Sequence, residues 1–278
     1  MKEWSWQLLR AGAFRLDGGA MFGVIPKALW SNMTAPDDAN RIALQTNCVL
    51  LQRDDHKVLI ETGFGNKFGE KDKKIFALQE RWIGQALEDV GISREEITAV
   101  VVTHLHFDHA GGLTYFDTDD ADASPKPSFP NAKIFTQRTE WEDAKANKST
   151  MTKTYLSDHL YPVEDQIVLV DGEAEIIPGI TVKPVPGHTW GQQSVRFRDE
   201  QGFLCFPGDV MPTIHHAGAP FNMAYDMLPH QNMLTKAALL EQASQDNWRI
   251  IIDHEPDQAV VSVEKDERGR FHLSPVAP

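Results

Sequence analysis

Residues 104–109 read His104-Leu105-His106-Phe107-Asp108-His109, which places three of the chain's 11 histidines and an aspartate within six positions of a 278-residue sequence. Chance produces this exact His-x-His-x-Asp-His pattern on the order of once per thousand chains of such composition, so the run carries information. Neutral imidazole is the commonest borderline metal ligand, and a carboxylate adds a hard anionic oxygen. Strand-like alternation puts the His104 and His106 rings on one side, while Asp108 and His109, past a bend, can face a second ion. Ile97 to Thr103 runs apolar and β-branched into the histidines like a buried strand. A solvated polar loop would leave that strand ending in four unexplained ionisable groups. Gly111-Gly112 then let the backbone turn tightly beneath the site.

Working outward, Ser93-Arg94-Glu95-Glu96 has the form of a capping box that opens one helical turn ahead of the strand. Ile75, Leu78, Trp82, Ala86 and Val90 recur at helical spacing, predicting one amphipathic helix from Lys71 to Val90 that stops at Gly91. Asn47 to Leu51 and Lys57 to Glu61 flank the polar Asp54-Asp55-His56, the pattern of a strand hairpin. The first 40 residues, rich in Gly and aromatics, predict a strand followed by a long ordered loop.

On the far side, Thr118 to Asn131 is an exposed loop by composition and Thr136 to Asn147 a short helix. Strand signals follow at Ile167 to Val170, Ile180 to Val185, Ser194 to Phe197 and Phe203 to Phe206. A helix over Gln231 to Asp246 turns Leu234, Ala237, Ala238 and Leu240 to one side, and Arg249 to Ile252 is a buried strand ending at Asp253-His254. Strands, helix, strands, helix predicts an α+β class: an αββα sandwich of two mixed sheets packed face to face, with helices on the outer faces. No repeat or low-complexity linker interrupts the chain. Residues 1–278 therefore read as a single domain, with 1–40 the N-terminal strand and loop and 44–255 the core.

The 41% apolar content supports a substantial core. Cys48 and Cys205, each inside an apolar run, read as buried core residues, with a buried disulfide the other reading. A formal charge of −13, with no basic stripe to offset it, argues against nucleic acid as a partner. No apolar stretch approaches the roughly 20 residues that span a bilayer, and the first residues lack the apolar centre of a secretory signal, so a cytoplasmic location is expected.

His-x-His-x-Asp-His after an apolar strand resembles the signature of the metallo-β-lactamase superfamily, and further elements follow in that family's order from about Leu44 to Glu255. Pro186-Gly187-His188-Thr189 is similar to its Gly-His loop, Pro207-Gly208-Asp209 to its bridging Gly-Asp, and Asp253-His254 to its last ligand position. The resemblance implies a first metal on His104, His106 and His188, a second on Asp108, His109 and His254, and Asp209 bridging both. It also implies two divalent ions, zinc first with iron, manganese or cobalt as alternatives. Set roughly 3.5–4 Å apart, they share a water of lowered pKa. Glu61-Thr62-Gly63 departs from the family's usual Asp-Thr-Gly. Glu61 then either hydrogen-bonds beneath the metal loops or is an ordinary strand-end charge.

Within the family, true β-lactamases replace the bridging Asp with Cys or Ser, and diiron electron-transfer members carry Glu where this chain has His106. What remains resembles quorum-quenching lactonases, related esterases and phosphotriesterases, and thioesterases of the glyoxalase II kind. The lactonase-like reading leads: a dinuclear metal-dependent hydrolase cleaving a small lactone or ester. A mononuclear iron persulfide dioxygenase stays open as a reading of another class. The lactonases' tyrosine three residues beyond the bridging Asp is absent, since Pro212 stands there. The proton donor must come from elsewhere, with His215, His216 and Tyr225 as candidates beside Asp108, which counts as both ligand and catalytic group. Met211 to Met227, holding Phe221 and Met223, and the loop Met21 to Pro26 line an apolar pocket for a small-molecule substrate, pack into the core, or bury themselves in a homodimer. His56, His159, His230 and His272 read as surface or structural residues.

Overall fold

A computed structural model describes residues 3–117, 124–151 and 153–277. The long antiparallel pair β1 (Ser5–Asp17) and β2 (Arg41–Arg53) turns through Asp54, at φ 51°, into β3 (His56–Ile60). β4 (Ala99–Val101) runs parallel to β3. A small ribbon of β5 (Thr114–Tyr115) and β6 (Lys126–Pro127) stands apart, after which β7 (Lys133–Gln137) and β8 (Ile167–Val170) complete a six-stranded sheet in the order β1-β2-β3-β4-β7-β8. The rest of the chain builds the second sheet from β9 (Ala174–Ile177), β10 (Ile180–Pro184), β11 (Gln193–Asp199), β12 (Gly202–Phe206), β13 (Arg249–Ile251), β14 (Val260–Lys265) and β15 (Phe271–Pro275). Its order is β15-β14-β13-β12-β11-β10-β9, antiparallel except for the parallel β12–β13 pair. Both sheets are mixed, as the sequence predicts.

Period-two burial sets the layers. Val49, Leu51, Val58 and Ile60 face Val182, Val195, Phe197, Leu204 and Phe206 of the other sheet, while the intervening Leu50 and Leu59 face outward with Val100. Helices cover those outer faces. In chain order they are α1 (Gly18–Phe22), α2 (Lys27–Trp30), α3 (Glu70–Phe76), α4 (Ile83–Glu88), α5 (Phe107–Ala110), α6 (Arg138–Lys145), α7 (Ser157–Leu160) and α8 (Pro229–Gln245). Ile83, Ala86 and Leu87 of α4 and Trp141 and Ala144 of α6 cover the first sheet. Leu239, Leu240 and Ala243 of α8 cover Cys205, Ile250 and Val261 of the second. Burying an aliphatic side chain the size of Ile83, Leu87 or Leu240 contributes about 1.5–3 kcal/mol. The architecture is the α+β, αββα sandwich.

Several expectations are corrected. The helix expected over Lys71 to Val90 is two helices, broken at Ala77, whose φ is 47°. Tertiary bonds override periodicity there: Gln79 N–H donates to Ala13 O at 2.8 Å and the Gln79 side chain accepts from Ala13 N–H at 3.0 Å, so this segment covers the open edge of β1. On α8, Leu234 is exposed whereas Asn232 and Lys236 are buried, because that face meets polar loops as well as the sheet. The loop expected after the first strand holds α1 and α2. Of the loop expected over Thr118 to Asn131, residues 118–123 lie outside the described residues, and β6 lies in the remainder. Strands β9, β14 and β15 were not anticipated. Cys48 and Cys205 are free and buried in the outer layers of different sheets, so the disulfide reading falls. Among the described residues no helix is long and apolar enough to cross a membrane.

Candidate metal centre

Four loops, each leaving the end of a core strand, converge on one spot. They follow β4 (102–109), β10 (185–192), β12 (207–209) and β13 (252–254). The geometry of the first depends on unusual backbone beneath it. Glu61 is held at φ 64°, a region that non-glycine residues rarely occupy. Thr62 then donates to His109 O through both its N–H at 3.0 Å and its hydroxyl at 2.7 Å. Gly111 sits against Phe64, where a Cβ would lie 2.3 Å from the Phe64 carbonyl oxygen. The glycine pair therefore serves close approach of two backbones, not the tight turn expected of it. Gly208 needs glycine twice over, with φ 59° and a Cβ position 2.6 Å from Thr103 Oγ1.

The structure brings together His104, His106, Asp108, His109, His188, Asp209 and His254. His106 Nδ1 lies 2.9 Å from His188 Nε2, and His109 Nε2 lies 3.2 Å from His254 Nε2. Asp209 stands between these groups. Its Oδ2 is 3.2 Å from His188 Nε2 and 4.0 Å from His104 Nε2, whereas its Oδ1 is 3.2 Å from His254 Nε2 and 3.7 Å from His109 Nε2. Asp108 approaches only the second group, at 3.6 Å from His254 and 3.8 Å from His109. Among the described residues two sets offer donor atoms within 4.8 Å of one another: His104, His106 and His188, and His109, Asp209, Asp253 and His254.

The chemistry of these donors fits divalent cations. His104 Nε2, Asp209 Oδ1 and both Asp253 oxygens are buried without a hydrogen-bond partner, an arrangement that protein alone rarely tolerates. Burial, together with the neighbouring imidazoles, pushes the His104 and His106 rings well below the ordinary histidine range. They are neutral at pH 7, with lone pairs free for a metal. At His254 burial is outweighed by Asp253 and Asp209, and the ring is pushed up to about 10. Protons there occupy the place that a bound cation would fill.

Behind the donors, further groups fix their orientation. Glu61 Oε1 accepts from Thr103 N–H at 2.7 Å and its other oxygen lies 3.6 Å from His109 Nδ1. Of the two readings of Glu61, the one beneath the metal loops is observed. Asp226 accepts from His188 Nδ1 at 2.9 Å and is held by the Asn232 amide at 3.1 Å. Glu140, wholly buried in α6, accepts from Leu105 N–H at 3.0 Å, Thr189 Oγ1 at 2.6 Å and Tyr155 Oη at 3.1 Å, so one carboxylate ties two of the four loops. Asp226, Glu140 and Asp253 were missed from sequence. Asp226 and Asp253 stood beside residues already singled out, while nothing distinguished Glu140 among the charges of its helix.

A cavity of about 230 Å³ opens over the centre, with His106, Asp108, His188, Asp209 and His254 at its floor. Leu16, Met21, Phe76, Phe107, Met151 and Met223 form its walls, with Tyr225, Lys153 and Thr154 completing the lining. Met21 and Met223 therefore reach the cavity as expected. Phe22 is instead fully buried, stacked between Trp30 and His216. Val24 is 85% exposed. The three proton-donor candidates separate clearly. Tyr225 lines the cavity, and burial pushes its phenol up to about 12, helped by Asp17 and Asp108. His215 does not line it.

His216 does not line the cavity either, and Thr213 Oγ1 at 2.8 Å and Met21 O at 2.8 Å engage both its ring nitrogens. Burial pushes the ring down to about 3. The unfolded state thus binds a proton that the folded state refuses, so this group's stability is full above about pH 6.5 and lost as pH falls toward 3. His216→Phe is expected to leave kcat near the wild-type value, to cost about 1–3 kcal/mol through the unpaired Met21 carbonyl, and to flatten the rise of Tm between pH 4 and 6.5. A loss of turnover at unchanged Tm would restore its catalytic candidacy. Of the remaining histidines His159 is buried edge-on to Phe68, and His56, His230 and His272 are exposed.

A sandwich with this donor set defines a metal-binding hydrolase-like fold, and the description "Metallo-beta-lactamase superfamily" matches residues 41–254. The chain belongs to that superfamily. It is 29% identical over 178 residues to the N-acyl homoserine lactonase AiiA of Bacillus thuringiensis subsp. kurstaki, an alignment covering 60% of this chain and 62% of that protein. The chain thus spans about three fifths of the length of the curated lactonases it matches. A solved probable metal-dependent hydrolase from Staphylococcus aureus is 28% identical, with TM-score 0.87 and 100% of both chains covered. The dizinc quorum-quenching lactonase AidC, solved in complex with a product, shares the fold at TM-score 0.79 and 19% identity, with 100% of this chain and 97% of that chain covered.

Proposed function

We propose that the protein is a metal-dependent hydrolase that opens a small, neutral lactone or ester carrying an apolar acyl or aryl tail. One observation carries this reading: a cavity of about 230 Å³ whose floor is imidazole and carboxylate and whose walls are mostly hydrocarbon, with Lys153, Thr154 and Tyr225 as the polar exceptions. His104, His106 and His188 would hold one divalent ion and Asp108, His109 and His254 a second, with Asp209 bridging. Zinc suits the imidazole-rich first position best. Such ions, when bound, supply an acidified water as nucleophile and polarise the scissile carbonyl.

The chain's own residues do the rest. Met21, Phe107 and Met223 shield the acyl tail from water and seat it so that the ester carbonyl meets the polar floor. Asp226 fixes His188 with Nε2 turned toward Asp209. The Tyr225 phenol, protonated at neutral pH, donates its proton or a hydrogen bond to the departing alkoxide. Tyr225→Phe is accordingly expected to lower kcat about 10–100-fold at unchanged metal content. An unchanged kcat would assign Tyr225 to packing alone.

The direct test is a panel of acyl-homoserine lactones of graded chain length, aryl esters, a paraoxon-like triester and lactoylglutathione against the metal-loaded protein, with oxygen uptake on a persulfide measured in parallel. Preference for neutral lactones or esters supports the reading. Equal rates throughout, preference for the triester or the glutathione thioester, or oxygen uptake would overturn it.

A further inference from the structure

The stretch Ile250-Ile251-Ile252-Asp253-His254 delivers two ionisable side chains to the centre, and the family resemblance gives a part only to the second. Asp253 is 1% exposed, and neither of its carboxylate oxygens has a hydrogen-bond partner. Oδ2 lies 3.9 Å from His109 Nδ1 and 4.0 Å from His254 Nε2. A carboxylate oxygen of Asp253 falls within 4.8 Å of donor atoms of His109, Asp209 and His254 at once. The backbone around it is pinned. Asn47 N–H donates to Asp253 O at 2.8 Å, the Asn47 amide donates to Ile252 O at 3.0 Å and Glu255 O at 2.7 Å, and His254 N–H donates to Pro212 O at 3.1 Å. That net fixes the backbone from which the Asp253 side chain departs.

An ionised carboxylate buried with no hydrogen bond costs several kcal/mol, and such a group persists where a cation compensates it. We propose that Asp253 is an additional anionic donor of the second metal position, acting with His109, Asp209 and His254. This rests on the metal-centre reading above. Three carboxylates, Asp108, Asp209 and Asp253, then stand against two imidazoles, whereas the first position sets three imidazoles against Asp209 alone. Ligand hardness follows the carboxylates, so the second position tolerates a harder ion such as Mn²⁺ better than the first does. Asp253 also raises the affinity of the second position for any divalent ion.

Asp253→Asn keeps the shape and removes the charge. Variant and wild type are stripped with chelator, reloaded with Zn²⁺ or with Mn²⁺, and equilibrated in metal-buffered solution. Metal per chain is read by elemental analysis, and melting temperatures are taken for the stripped and loaded forms. The wild type is expected to hold two ions. The variant should keep one and bind the second about tenfold or more weakly. Loading should raise the melting temperature of the variant by less than it raises that of the wild type, because one ion is held less firmly; a purely structural aspartate would lower the stripped and loaded forms alike. Asp253→Ser, which also removes the charge, provides the same readouts if the amide of Asn does not fit.

A variant that retains two ions as firmly as the wild type, or whose melting temperature rises on loading by as much as that of the wild type, overturns the proposal while leaving the metal centre intact. A wild-type protein that binds fewer than two ions overturns the metal-centre reading, and this proposal with it.

Discussion

Asp209→Asn is expected to reduce kcat/KM by on the order of 10³-fold or more and to lower the metal content from two ions per chain toward one. The substitution preserves volume, and the site sits in a rigid frame of strand ends, so the loss is chemical. Asp209 Oδ2 serves the His188 side at 3.2 Å and Oδ1 the His254 side at 3.2 Å, a span that no other side chain at the centre covers symmetrically. An amide presents one neutral oxygen and turns an N–H toward the other group, where it meets an imidazole and a would-be cation instead of a lone pair. Kinetics with the strongest substrate of the panel and elemental analysis on the same sample check both halves. An active variant with unchanged metal stoichiometry would refute the bridging role.

Removing the metals is expected to lower Tm by about 12–32 °C. With free ion at 100 to 1,000 times Kd, each site contributes about 3–4 kcal/mol, and for a chain of this size 1 kcal/mol moves Tm by about 2–4 °C. The stripped site is worse than merely unliganded, since Glu61, Asp108, Asp209 and Asp253 are all buried around His109 and His254. Protonation of the imidazoles relieves part of that repulsion, which keeps the shift within the stated range. Scanning calorimetry with and without chelator, followed by zinc re-addition, measures it. A reversible shift of only about 1 °C would mean that the ions add little to the folded state.

The His104 to His109 run and the layer order were legible because each rests on local chemistry: donors in a dense cluster, and apolar residues at the period of the element. Val49, Leu51, Val58 and Ile60 showed their pattern openly. Contacts between distant segments were not legible. The break at Ala77 answers to Gln79 gripping β1, a bond between residues 66 apart that no periodicity reports. His216 and Tyr225 come from the same unpatterned segment, yet one ring is held by Thr213 and by the distant Met21 carbonyl while the other lines the cavity. Glu140 is the plainest case: a helical glutamate in a charged stretch, whose partners Leu105 and Thr189 lie 35 and 49 residues away. Glu61 was half legible, since its position marked it and its two possible roles differed only in where the longer side chain reaches.

The bond from the Asn47 amide to Glu255 O spans 208 residues, and the approach of His109 to His254 spans 145. During synthesis at about 5–20 residues per second, the first-half histidines leave the ribosome roughly 7–30 s before their last partner exists. For that interval they are a loose, chelating stretch of nascent chain. The full donor set exists only once β13 has joined the second sheet and brought His254 to within 3.2 Å of His109. Cellular yield should therefore depend on divalent ions being present while the chain is made, and not only afterwards.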